Sequence, residues 1–490
     1  MEAQINLSVS EKLIQKIEDF LSQQSIVVDK KIELFDTKHE VLCNDKKVHM
    51  VKPCLRVYLD VSHEEGSLVH VEGWFPLTWN GVFFGVGNGG LGAVVPTCDL
   101  AEFVDLNFAA VSADLGTSKG EDSGINNPVV FRDYGYRATH TLTVLGKQLT
   151  ELVYGKKPLC NLFFGGSTGG QQALCMAQRC PSEYDAIMCG CPGNNRVGVH
   201  TYFLWNFVKA KEQDGTPLFD EATCRKITEE AICFYHDLGE GSPDEPFVNS
   251  IRCDEKTITA FVDRVSQKLS LSDKQKAALL FIYKGPVHAK TQQQIFGGMS
   301  IGTELSGLLP ALNDARPAGD YIFKWAFGKD FDPFSFDFGN DYDELKKRLS
   351  SYLDATDTDL RPFFARGNKL ILLGSYGDSA VPYQDLYCYT KKMIEKLDEE
   401  VIKNQLVYYI VPGLDHRVAD YRHELVTSED GKDYRDVLAE WVLENKRPGK
   451  ILARIRGYGE EKDYLRTYAP IDLAKDEQAG FPEEMDEAYL

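Results

Sequence analysis

The sequence predicts an α/β protein, a mostly parallel sheet flanked by helices and interrupted by a large insertion. Three observations carry this. Strand-like apolar runs alternate with helical stripes from about residue 80 to 195, the pattern of parallel strands joined by helices. Between 196 and 355 that texture gives way to helical stripes and glycine-rich loops, and strand-like runs then resume. Finally, Ser167 lies in Gly165-Gly-Ser-Thr-Gly169, between a strand-type run and a helix-type run. A serine on a sharp strand-to-helix turn needs neighbours without side chains.

At 490 residues the chain is long enough for two or three units. Its net charge of -20 argues against a nucleic-acid partner. No window reaches the roughly 20 consecutive apolar residues of a membrane span. The sequence opens Met1-Glu-Ala-Gln-Ile-Asn6, with neither a basic nor an apolar leader region. The expected location is therefore cytoplasmic, or secreted if a leader has been trimmed. The twelve cysteines include no C-x-x-C pair, and buried free thiols are expected for most of them.

Taken in order, Ser8-Val-Ser-Glu11 resembles a capping box ahead of a helix with its apolar stripe at Leu13, Ile14, Ile17, Phe20 and Leu21. Short alternating runs at 26–28, 32–35, 55–61 and 69–75 predict antiparallel strands over 1–78. Residues 82–86 read as a buried strand, followed by Gly87, Gly89, Gly90 and Gly92. That spacing matches G-x-G-x-x-G, but Pro96 falls where a phosphate-binding helix would run. An oxyanion-hole loop fits better. Residues 108–112 form another strand, ending at Asp114, which reads as a turn residue. Residues 134–154 predict a long helix, with His140 as a packed or capping residue. The serine strand and its helix follow. After the insertion, strands at 369–373 and 407–411 each end in a polar residue, Asp378 and His416.

The chain order Ser167, Asp378, His416 is that of a nucleophile, acid and base on an α/β-hydrolase core. A serine hydroxyl is a weak nucleophile at neutral pH, so His416 would take its proton and later return one to the leaving oxygen. Asp378 would hold the imidazole tautomer, with Asp415 a rival acid. The oxyanion would meet the backbone N–H of Thr168 and one from Asn88, Gly89 or Gly90. The domain plan is a catalytic domain over 1–195 and 356–460, an inserted lid over 196–355 and an acidic tail over 461–490.

At this point the chain resembles the tannase and feruloyl esterase family of α/β-hydrolases, from about Pro53 to about Arg422. The resemblance rests on Trp79-Asn-Gly81 with the glycine loop, Asp133-Tyr-Gly-Tyr-Arg-Ala-Thr-His140, and Gly165 to Gly170 with Ala177-Gln178. Ala355-Thr-Asp-Thr-Asp-Leu360, Arg366-Gly367 and Lys369-Leu-Ile371 extend it. It implies a serine esterase with a lid, acting on phenolic-acid esters such as galloyl or feruloyl esters. The nucleophile, acid and base carry over by position to Ser167, Asp378 and His416. A small-molecule ester is then the expected partner.

Two departures follow from the same resemblance. The family usually joins a cysteine before the serine to one after the histidine; here those positions hold Gly166 and Arg417. Its lid often holds calcium between two cysteines, which Cys233 and Cys253 resemble. The stretch between them keeps Asp237 without the other regularly spaced aspartates. Calcium wants six to eight oxygens, so no cofactor is expected, and whether Cys233 and Cys253 pair stays open. Two alternatives also stand: an acyltransferase or lactone- or depside-cleaving enzyme with the same triad, and a non-catalytic small-molecule-binding member.

Overall fold

The structure is a computed structural model that describes the chain except residues 1–4, 44–45, 242–244, 246, 251–252, 304, 306–312, 417–425, 457–462 and 474–490. Two compact units emerge. The first comprises residues 1–189, 352–370 and 434–448, the second 190–351, 371–433 and 449–490. The strands ending at Asp378 and His416 thus group with the stretch read as an insertion.

The first unit begins with β1 (Ile5–Asn6), α1 (Glu11–Ser22) and β2 (Val27–Phe35). The N-cap of α1 is Ser10, whose Oγ accepts from the N–H of Leu13. The cap is therefore Ser10 and not Ser8: its hydroxyl lies three residues before the amide it satisfies. A hairpin of β3 (His39–Cys43) and β4 (Lys46–Val51) follows, then β5 (Cys54–Val61), β6 (Val69–Pro76), β7 (Thr78–Trp79) and β8 (Val82–Val86). Beyond them lie α2 (Thr97–Asp105), β9 (Ala109–Ala113), α3 (Pro128–Arg132), α4 (Ala138–Tyr154), β10 (Cys160–Gly166), α5 (Thr168–Arg179) and β11 (Ala186–Gly190).

The main sheet of this unit runs β11-β10-β8-β9-β6-β5-β2. The β10–β8 and β8–β9 pairs are parallel, while β9–β6, β6–β5 and β5–β2 are antiparallel. The burial of each strand explains its composition. β8 and β9 are buried at every residue, so both of their faces are apolar or small. β5 alternates over most of its length, with one side chain in and the next half-exposed. The helix expected over 134–154 is present, but a π-helical turn, Asp133–Arg137, joins α3 to α4. His140 is exposed, not packed or capping. It lies on the outer face of α4, whose buried stripe includes Leu142, Leu145 and Leu149.

The second unit contains α6 (Arg196–Lys209), α7 (Glu221–Asp237), α8 (Glu255–Leu269) and α9 (Asp273–Lys284). Asp220, Asp254 and Ser272 cap the last three, Ser272 in a reciprocal capping box with Gln275. Most of β12 (Lys369–Ser375) and all of β13 (Leu406–Val411) belong to it, as neighbouring strands with continuous apolar burial. A separate antiparallel sheet joins β14 (Val426–Ser428), β15 (Ile451–Arg456) and β16 (Asp463–Tyr468). This corrects the expected tail over 461–490. Residues 463–468 pair with β15, and their alternation was masked by the acidic residues around them; residues 474–490 lie outside the described part.

Ten described cysteines are free, Cys233 and Cys253 among them, and Cys98 is disulfide-bonded. No helix among the described residues is long and apolar enough to cross a membrane.

Candidate active site

In the first unit, Ser167 stands between the last residue of β10 and the first of α5. Its backbone has φ 59° and ψ -116°, a conformation that non-glycine residues rarely adopt. The residue is half-buried. Close chain approach explains the glycines around it. A Cβ on Gly165 would lie 2.4 Å from the carbonyl oxygen of Gly169, and one on Gly87 would lie 2.5 Å from the Cα of Gly169. The turn therefore closes only if both positions lack a side chain.

The glycine loop after β8 is tied to this turn. The N–H of Gly169 donates to the carbonyl of Asn88 at 2.7 Å, and the N–H of Asn88 donates to Gln172 Oε1 at 2.8 Å. This corrects the expectation for Asn88: its amide is committed to a buried side chain of α5. The N–H groups of Gly89 and Gly90 remain as candidates from this loop. Gly90 is exposed with φ +57°, and its carbonyl accepts from Thr168 Oγ1 at 2.7 Å and from the Tyr134 hydroxyl at 3.2 Å. Thr168 opens α5, where the first amides have no intrahelical partner. Gln172 was not singled out by sequence, because a glutamine in a helical run carries no signal of what it faces. Its Nε2 also donates to Thr139 Oγ1 at 2.8 Å.

In the second unit, Asp378 lies in the loop after β12 and is fully buried. Its Oδ1 accepts the N–H groups of Ala380 at 2.8 Å and Val381 at 2.7 Å. Its Oδ2 is 2.7 Å from His416 Nδ1. A carboxylate in that position makes Nδ1 the protonated nitrogen and leaves Nε2 as a base. His416 is half-buried, and Asp415 is exposed. The carboxylate on the imidazole is thus that of Asp378. Ser375, at the end of β12, donates to the carbonyls of Val411 and Leu414 and so ties the acid loop to the base loop. Asp114 is a turn residue: buried, it accepts from the N–H groups of His70 and Gly116, and burial pushes its pKa up to about 6.

Asp237, the weak calcium candidate, is exposed, and its Oδ2 pairs with Arg264 at 2.7 Å. Cys233 is exposed, whereas Cys253 is buried with its Sγ 3.3 Å from the Tyr383 hydroxyl. Arg417 lies outside the described residues.

Comparison with known proteins follows the same lines. A sequence model of the family described as tannase and feruloyl esterase matches residues 57–316 and 271–468. Feruloyl esterase B of Aspergillus niger is 32% identical over 218 residues, which is 41% of this chain and 40% of that protein. A probable feruloyl esterase B of Emericella nidulans is 24% identical over 444 residues, 87% of this chain and 83% of its own. Among solved structures, feruloyl esterase B from Aspergillus oryzae superposes with a TM-score of 0.79 at 18% identity, covering 94% of this chain and 96% of the other. Tannin acyl hydrolase from Aspergillus niger gives 0.68 at 18% identity, covering 95% and 90%. These two show the same fold.

Proposed function

The chain belongs to the tannase and feruloyl esterase family, and from that premise we propose that it is a serine carboxylic ester hydrolase acting on a phenolic-acid ester. The observation that carries the reading is the pair His416–Asp378. A buried carboxylate with one oxygen on two backbone amides and the other on Nδ1 leaves an imidazole ready to act as base through Nε2. Feruloyl and galloyl esters are the substrate class, by analogy with what the named relatives hydrolyse.

In the proposed mechanism, His416 takes the proton of Ser167 Oγ as that oxygen attacks the ester carbonyl. The tetrahedral oxyanion is met by the N–H of Thr168 and one from Gly89 or Gly90. Collapse expels the alcohol, which takes the proton from His416 and leaves an acyl group on Ser167. Water then repeats the sequence and releases the acid. Asp378 stays ionised and stabilises the imidazolium.

The test is hydrolysis of a panel of methyl phenolate and short-chain esters by the wild type and Ser167→Ala. Activity is expected to disappear in the variant while its far-UV spectrum and melting temperature hold. A fully active variant would sink the proposal.

A further inference from the structure

One peptide unit in the acid loop is gripped at both ends. The N–H of Ala380 donates to Asp378 Oδ1 at 2.8 Å, and the carbonyl of the same unit, that of Ser379, accepts from the Tyr202 hydroxyl at 2.9 Å. Tyr202 lies on α6, in the stretch that reads as an insertion, and is fully buried. Asn206, one turn further along α6 and also buried, stands beside the phenol and offsets part of the effect of burial on it. The single hydroxyl proton of Tyr202 is directed at the Ser379 carbonyl. A carbonyl that accepts a hydrogen bond polarises its own peptide unit and strengthens the N–H at the other end.

We propose that Tyr202 is a positioning residue for this site, holding the peptide unit that orients the Asp378 carboxylate on His416. The inference rests on the proposed hydrolase reading. The helix brought in by the insertion is then part of what sets the acid and base, in addition to any role in covering substrate. The N–H of Val381 also holds the carboxylate, at 2.7 Å, and the Ser375 hydroxyl ties the loop to the Leu414 carbonyl, whereas two other bonds of the loop are longer. Asp378 N–H reaches the Ser375 carbonyl at 3.4 Å, and Thr303 Oγ1 reaches the Tyr376 carbonyl at 3.4 Å. Burial pushes the phenols of Tyr202 and Tyr376 far above neutral pH, and Asp415 beside His416 is exposed. The acid limb of an activity profile near neutrality reports an imidazole base.

The experiment measures kcat and KM against pH for a soluble p-nitrophenyl ester with the full chain. The variants are Tyr202→Phe, Asn206→Ala, Asp378→Asn and Tyr154→Phe. Tyr202→Phe is expected to lower kcat by about tenfold with KM nearly unchanged. It should also move the acid limb of the profile to lower pH, by about half a unit or more, because a loosened carboxylate stabilises the imidazolium less. Asn206→Ala is expected to shift the limb the same way by less. Tyr154→Phe removes a comparable bond from hydroxyl to carbonyl, 2.8 Å to Pro76 in the first unit, and should leave the limb in place. A wild-type limb in Tyr202→Phe overturns the inference, as does an equal shift in Tyr154→Phe. If Tyr202→Phe fails to fold, Asn206→Ala decides: a shifted limb supports the inference and an unshifted one overturns it. Undiminished activity in Asp378→Asn would instead remove the hydrolase reading itself.

Discussion

Ser167, Asp378 and His416 differ in what their surroundings ask of them. Ser167 is kept in a strained backbone conformation by close packing at Gly165 and Gly87, Asp378 is held by two amides and His416 by a carboxylate. A different histidine makes the clearest prediction at this scale. His200 is buried, donates from Nδ1 to the Gly319 carbonyl at 2.8 Å and packs edge-on to Phe203 and Tyr321. Burial, with Arg196 nearby, lowers its pKa to about 3. Between that value and the unfolded value near 6.5, the unfolded chain binds a proton that the folded chain does not. Stability is therefore lost as pH falls through this window, by about 1.4 kcal/mol per unit for one group. Urea unfolding at pH 7 and pH 5 should show this slope, and His200→Gln should flatten it. An unchanged slope in the variant would rule out His200 as its source.

At the scale of elements, the junction of β8, β10 and α5 carries the proposed nucleophile and the candidate oxyanion donors. The sequence reveals its strand, turn and helix because the glycines and apolar runs are local signals. It does not reveal Gln172, which joins the Asn88 amide of the loop to Thr139 of α4. Gln172→Ala leaves two buried polar groups unpaired, a loss of about 1–3 kcal/mol for each. A lower melting temperature is expected together with a kcat reduced by about tenfold or more, since the loop also carries candidate oxyanion donors. A variant that lost stability and kept its full kcat would show that Gln172 supports the fold alone. The same scale explains two corrections. Asn88 looked available because sequence shows a glycine loop and hides the side chain that takes its amide. The strand β16 was read as tail because acidic neighbours conceal its period-two pattern.

For the whole molecule, the two units do not follow the boundaries that a change of sequence texture suggests. The strands leading to Asp378 and His416 cluster with the helices of residues 190–351, not with the first seven strands of the sheet. Texture records local periodicity, whereas compact units record which segments pack together, and the two need not coincide. The stretch between Cys233 and Cys253 keeps Asp237 without the other regularly spaced aspartates of a calcium-holding lid, and Asp237 is paired with Arg264. Treatment with EDTA is accordingly expected to leave both hydrolysis and melting temperature unchanged. A drop in either that added calcium restores would reverse this.

Sequence by itself determined the fold class and the family, and it supplied the order Ser167, Asp378, His416 on which the proposed mechanism rests. These rest on signals that lie within a few residues of one another: strand and helix periods, small residues at a tight turn, polar residues just past apolar runs. Tertiary structure decided what holds those groups. Tyr202 reaches Ser379 across 177 residues and Gln172 reaches Asn88 across 84. A hydrogen bond between segments so far apart leaves no pattern in either one, because each side chain would look the same facing water.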